Sequence, residues 1–296
     1  MIRVLICIFA LISSSSFAET IRYVDATALR NNPNNMYFVK VLELALAKAK
    51  KDTGTEWLQP LDVMITQKRQ LIELKKQNID VMWTMSSAQR DQQALAVPVP
   101  LAFGSYGLRL LVINKGDQHV FSRIEKAEQL KRLTALVGRD WPDKLILLDN
   151  GYRIDDSSNE ELLYGVLQKE NAHYFPRAVT EANSELSVLN NKQLMIAPRL
   201  VMQYPAVMYF YVRKGNLALA KKLTEGLNAA LKDGSLEELF FSFEHHRKAF
   251  AAFDFTQAEF IQLDNRQLSA SVDLEQIYKM QNRLIGNASK YLQSSH

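Results

Sequence analysis

Asn78-Ile79-Asp80-Val81-Met82-Trp83-Thr84-Met85-Ser86-Ser87-Ala88-Gln89-Arg90 is the stretch on which the fold of this chain turns. A polar helix ends at Asn78 and a short apolar strand follows over residues 79–84. The strand runs into a serine-rich turn with an arginine behind it. Such a turn can offer backbone N–H groups, two hydroxyls and a guanidinium to one small anion. This is the chemistry of capturing a ligand rather than of catalysis.

Upstream, residues 21–26 read as a first strand. Asn35 can cap a helix over residues 36–51, with Phe38, Val41, Leu42, Ala45 and Ala49 on one face, and Asp52-Thr53-Gly54 stops it. Residues 57–64 read as extended, and Thr66 can cap a second helix carrying Leu71, Ile72 and Leu74. The first third is therefore β-α-β-α-β, the pattern of an α/β sheet.

Downstream, Pro98 and Pro100 break regular structure. Residues 107–114 form a strongly apolar strand closed by Lys115-Gly116-Asp117. A new α/β run follows. It comprises a helix over 122–133, a strand over 134–137, the turn Gly138-Arg139-Asp140-Trp141-Pro142 and a strand over 144–149. Ser158 with Glu161 forms a capping box, and a helix over 180–189 leads to a strand over 193–197. A second long apolar strand, 206–213, is closed by Lys214-Gly215-Asn216, much as the first was. Helix 217–232 stops at Asp233-Gly234, and Ser235 with Glu238 boxes a helix over 236–243. The tail is amphipathic, with Leu274, Ile277, Tyr278, Leu284 and Ile285 on one face.

The two strand-Lys-Gly units divide the chain. Residues 19–114 with 206–253 make one discontinuous lobe, 115–205 make a second, and 254–296 form a C-terminal extension. Two lobes joined by two crossings, with a cleft between them, suit ligand capture and hinge closure.

Residues 1–18 read as a cleavable export signal: Arg3, the apolar run 4–12, then small residues ending at Ser16 and Ala18. The apolar run is too short to span a bilayer comfortably, so no stable membrane anchor is expected after cleavage. The only cysteine, Cys7, lies in this leader, which excludes disulfide and thiol chemistry from the rest. The whole chain of 296 residues carries a formal charge of +4, too mild to argue for nucleic acid. His245-His246 is the one histidine pair, and adjacent residues do not face one metal. No phosphate loop, dinucleotide fingerprint, nucleophile elbow or zinc-protease motif occurs, so no enzyme, metal or cofactor is expected.

The order of elements over residues 21–243 resembles the type II periplasmic binding-protein fold, in particular solute-binding protein family 3, which contains amino-acid transport binders. The resemblance rests on three places. One is Ile79-Asp80-Val81 running through Ser87-Ala88-Gln89-Arg90. The second is Tyr211-Val212-Arg213-Lys214-Gly215-Asn216, and the third is Asp233-Gly234-Ser235-Leu236. It implies that Arg90 clamps a ligand carboxylate, with Ser87 assisting. This chain departs from the family at three positions. Met85 stands where those binders carry Thr or Ser, and Gly138-Arg139-Asp140-Trp141 replaces a Gly-Thr/Ser turn. Ala197-Pro198-Arg199 stands where an Asp meets the ligand's ammonium. These departures point away from an ordinary α-amino acid, and Arg139 and Arg199 would favour an anionic ligand.

The candidate ligand contacts are Arg90, Ser87, Ser86, Trp83, Asp25, Arg139 and Trp141. Trp83 could stack on a ligand, although strand tryptophans commonly pack in cores. Asp25 ends the first strand, where α/β sheets place ligand groups. Arg139 and Trp141 would face the cleft from the second lobe. Arg177 and Glu181 read as an i,i+4 pair. The expected function is a periplasmic solute-binding protein that captures a small polar ligand, anionic or zwitterionic and amino-acid-like, for transport by an inner-membrane permease. The alternative is a non-transport signalling or interaction protein on the same fold, working with an envelope sensor. The missing ligand Asp and the long tail favour the alternative.

Overall fold

The computed structural model describes residues 20–25, 33–49, 57–158, 162–169 and 172–293. The expected leader, the stop at Asp52-Thr53-Gly54 and Glu161 of the expected capping box lie outside the described residues.

In the first lobe, β1 (Thr20–Val24) pairs in parallel with β2 (Trp57–Leu61). A three-stranded sheet has the order β3 (Val81–Met85), β10 (Met208–Val212), β4 (Leu95–Val97). β10 runs antiparallel to both neighbours and is buried along its whole length. Asp80 joins the two sheets: its carboxylate accepts from Arg22 Nε at 2.8 Å and Nη2 at 2.9 Å, and its N–H donates to the Arg22 carbonyl. Helix α1 (Pro33–Lys48) buries Phe38, Val41, Leu42 and Ala45 and packs against α9 (Leu217–Lys232). It starts upstream of the expected cap, so Asn35 lies inside its first turn and donates to Asp25 Oδ1 at 2.9 Å. Helix α2 (Gln67–Lys75) starts as read, with Thr66 Oγ1 accepting from Arg69 N.

The second lobe is a six-stranded sheet. Its order is β11 (Glu259–Gln262), β9 (Leu194–Gln203), β5 (Leu108–Asn114), β8 (Tyr174–Ala178), β6 (Thr134–Leu136), β7 (Arg153–Asp155). The sequence division at residue 114 put β5 in the first lobe. Its antiparallel ladders to β8 and β9 make it a central strand of the second, so the crossings fall at about residues 104–107 and 204–207 instead. β11 comes from the C-terminal extension and pairs in parallel with β9.

Several local readings change. The expected helix over 122–133 is two short helices, α4 (Gln118–Phe121) and α5 (Ala127–Leu130). The expected strand over 144–149 is helix α6 (Asp143–Asp149). Its residues Leu145-Ile146-Leu147-Leu148 are apolar throughout, so periodicity did not separate strand from helix. In the fold the central two are buried and the outer two exposed. Pro142, whose φ suits a helix start, precedes them. Helix α7 (Leu163–Gln168) leads to β8, which went unread because Pro176 and Arg177 interrupt its apolar pattern. Helix α8 (Val179–Leu189) follows as expected. Helix α10 (Ser235–Ser242) begins at Gly234, which has φ +84°, and Ser235 bonds Asp233 instead of forming the expected box. Helix α11 (Glu244–Ala251) carries His246 into the core, and α12 (Leu274–Gln293) buries Ile277 and Leu284 but leaves Leu274 exposed.

Candidate interlobe site

β3 delivers Met85 to the lobe boundary, and the chain turns at Ser86-Ser87 into α3 (Ala88–Gln93). Ser87 caps this helix, its Oγ accepting from Arg90 N at 3.3 Å. Arg90 is only 7% exposed. Its guanidinium donates to the Met85 carbonyl at 2.7 Å and to Gln67 Oε1 at 2.8 Å. It makes no ion pair among the described residues. Burial lowers the Arg90 pKa from its ordinary value, while Tyr211, Asp143 and Asp140 oppose the shift. Two of these three belong to the second lobe, so Arg90 looks across the boundary at negative charge without touching it. Ser86 Oγ is buried, with the Tyr211 hydroxyl near it, and makes no hydrogen bond of ordinary geometry among the described residues.

The wall facing this turn is a buried charge network that sequence reading largely missed. Arg109, on β5, is 3% exposed. Its Nη2 lies 2.5 Å from Asp143 Oδ1, its Nε donates to Tyr204 Oη at 2.7 Å, and its Nη1 is 3.6 Å from Glu181 Oε2. Tyr204 Oη donates to Asp143. Arg177 holds Glu181 at 3.1 Å and forms a forked pair with Glu185 at 2.6 and 2.8 Å; Tyr164 Oη donates to Glu185 at 2.5 Å. The expected Arg177–Glu181 i,i+4 pair is thus formed, but buried and across a strand-to-helix junction, since Arg177 lies near the end of β8 and Glu181 in the first turn of α8. Burial pulls the Arg109 pKa down, but Asp143, Tyr204 and Glu181 more than offset it and hold it above the usual range. Burial pushes the Glu181 carboxyl up, against the pull of Arg177 and Arg109. Met85 joins the two lobes here: its carbonyl takes Arg90, and its sulfur lies 3.8 Å from Arg109 Nη2. A signal for Arg109 was present, because a charge inside a buried apolar strand requires a partner.

The other candidates are dispersed. Trp83 stacks with Phe38 at 6.0 Å and meets Tyr23 and Phe210, so its ring belongs to the first lobe's packing. Asp25 lies beyond β1, donating its N–H to Leu61 O and accepting from Asn35. Arg139 is exposed and donates to the carbonyls of Asp156 and Ser157, a loop-fixing role. Trp141 stacks on Phe175 at 6.0 Å, with the Arg177 guanidinium 4.6 Å above its ring. Gly138 makes room for this, since a Cβ there would lie 2.6 Å from the indole. Arg199, expected near a ligand, sits in a β9 irregularity at φ +67° and pairs with Glu259 of β11. A surface cavity of about 350 Å³ borders His119, Arg123 and Arg132, and one of about 100 Å³ borders Pro198, Arg199 and Glu259. Neither includes a residue of the Ser86–Arg90 turn. Among the described residues there is no cluster of metal-binding side chains, and no helix is long and apolar enough to cross a membrane.

No protein-family model and no curated protein matches the chain. Solved structures do. An ancestral arginine-binding protein bound to arginine is 19% identical, with 76% of this chain and 98% of that one covered and a TM-score of 0.54. A histidine kinase sensor domain with similarity to periplasmic binding proteins is 15% identical, covering 75% and 93%, with a TM-score of 0.54. The GluR0 ligand-binding core from Nostoc punctiforme, in complex with L-glutamate, is 11% identical, covering 77% and 99%, with a TM-score of 0.52. With the three sheets and two crossings described above, these likenesses define the class: the chain has the two-lobed type II periplasmic binding-protein fold.

Proposed function

We propose that this chain is a periplasmic solute-binding protein that captures a small polar ligand between its lobes, for transport by an inner-membrane permease. The ligand is anionic or zwitterionic and amino-acid-like. The observation that carries this reading is Arg90, a guanidinium buried at the lobe boundary with no carboxylate in contact among the described residues. Burying a cation without a counter-charge is costly, and a ligand carboxylate on its remaining N–H groups would offset that cost. The buried Ser86 hydroxyl of the same turn, which makes no hydrogen bond of ordinary geometry among the described residues, supports the same assignment. So does the fold, since structures sharing it hold arginine or L-glutamate. The leader read in residues 1–18 supports export.

Calorimetric titration with L-arginine, L-glutamine, L-glutamate and the simple dicarboxylates succinate and glutarate tests the reading. One of these is expected to bind. Arg90→Ala is expected to lower its affinity at least about ten-fold, because a charge-assisted bond contributes roughly 1.5–3 kcal/mol. Equal affinity in the folded variant would overturn the assignment. A second reading, a signalling or interaction protein of the cell envelope, is favoured by one observation: the C-terminal extension bonds to both lobes. Absence of binding across the panel, together with a partner recovered by cross-linking in the envelope, selects that reading.

A further inference from the structure

The extension is tied to the parts of the molecule that would have to move. Gln281, on α12, is fully buried, and its Nε2 donates to the carbonyls of both Gly104 and Tyr204, each at 2.9 Å. Those carbonyls lie on different crossings, so one side-chain amide joins the two. Its Oε1 accepts from Gln203 Nε2 at 2.9 Å, and Gln203 Oε1 accepts from Gln262 of β11 at 2.7 Å. Asn265 Nδ2 donates to Pro205 O, also on a crossing, at 2.8 Å. On the second lobe, Asp264 exchanges two bonds with Asn150, at 2.8 and 3.0 Å, and Gln267 Nε2 donates to Asp149 at 2.6 Å. On the first lobe, the Gln267 carbonyl accepts from Ala88 N at 2.8 Å, inside the serine turn that carries Arg90. Arg283 and Asn287 both reach Glu237 of α10, and Ile277 packs in the cluster of Leu71, Leu74 and Met82.

A hinge works by letting a few backbone dihedrals on the crossings change. Here those residues are bonded to one buried amide, and the segment around residues 264–267 spans lobe to lobe. We propose that residues 259–281 are a built-in clamp that holds the lobes together and occupies the Ala88 N–H through the Gln267 carbonyl. Opening of the cleft then requires release of this segment. The clamp is independent of whether Arg90 receives a ligand, and its test reads geometry alone.

The test uses the full chain in a Cys7→Ser background, with spin labels at the exposed positions Arg123→Cys in the second lobe and Lys221→Cys in the first. Interlobe distances are measured by pulsed electron resonance, without added ligand, in this parent and in two variants. Gln281→Leu removes the bridge between the crossings. Asn150→Ala with Asn265→Ala cuts lobe and crossing bonds while leaving the apolar packing of α12 in place, and so serves if Gln281→Leu fails to fold. The clamp predicts one narrow distance in the parent, a second, longer population in the folded variants, and at least ten-fold faster amide exchange at Ala88 in them. A broad distribution in the parent, or unchanged distances in folded variants, overturns it.

Discussion

Arg109 is the residue whose environment is least forgiving. It lies in a strand whose other residues from Leu108 to Ile113 are apolar, and its charge is balanced by Asp143 at 2.5 Å with Tyr204 bonding both partners. Removing one member of such a buried pair leaves the other uncompensated. Arg109→Met is therefore expected to cost about 3–5 kcal/mol in urea unfolding. Adding Asp143→Asn is expected to recover part of that loss, and a loss below about 1 kcal/mol would show that Asp143 relaxes into water. His246 makes a second prediction at this scale. Buried against Tyr37 and Phe240, with Nδ1 donating to the Phe240 carbonyl, it has a pKa lowered to about 3, and desolvation is the main cause. A histidine held neutral in the fold takes up its proton only on unfolding. The contribution is thus complete above the unfolded value near 6.5 and is lost as pH falls toward about 3. Urea unfolding at pH 7 and pH 5 is expected to show a fall of about 1.4 kcal/mol per pH unit below 6.5 from this residue, added to that from the similarly depressed His245, so His246→Phe is expected to lower the slope by about that amount. Residue type singled out Arg90 as an arginine behind a serine turn, and the fold buries it near the lobe boundary. The same reasoning placed Arg139 and Trp141 toward the cleft; in the fold Arg139 donates to the carbonyls of Asp156 and Ser157, and Trp141 stacks on Phe175 beneath Arg177 of the facing wall.

At the scale of elements, the crossings set the tightest constraint. Gly107 passes so close to the other crossing that a Cβ would lie 1.9 Å from the Tyr204 carbonyl and 2.6 Å from Gln281 Nε2. The Tyr204 N–H meanwhile donates to the Gly107 carbonyl at 3.0 Å. Gly107→Ala must push these backbones apart, so it is expected to destabilise by more than about 3 kcal/mol or to abolish soluble expression; a thermal melt unchanged within about 2 °C would contradict this geometry. Long elements with clear periodicity or caps were legible: α2, α8, α9, β5 and β10 lie within a few residues of where the sequence puts them. Short elements were not. α6 is uniformly apolar over its middle, and β8 owes its strand state to the ladder with β5, a contact about 65 residues distant in sequence.

At the scale of the molecule, the two-lobed division was readable because each crossing follows or precedes a long apolar strand. The boundary shifted because those strands do not share a lobe. β5 stays with the second, while β10 returns to the first and inserts between β3 and β4. Partner choice in a sheet is settled by tertiary pairing, which no local pattern encodes. The extension was legible only as a helix with an apolar face; its bonds to both crossings depend on polar residues such as Gln281 and Asn265 that carry no periodic signal.

β11 has a consequence of a different kind. It covers Leu200–Gln203 at the outer side of β9, completing that margin of the six-stranded sheet. Without it, this stretch would present a row of unpaired N–H and C=O groups to solvent, a template on which a second chain could add a strand. β11 is then the edge itself, but it is only four residues long and opens with the exposed Glu259, which pairs with Arg199, so it is a poorer template than the stretch it covers, and a chain stopping at Phe253 is expected to aggregate more readily.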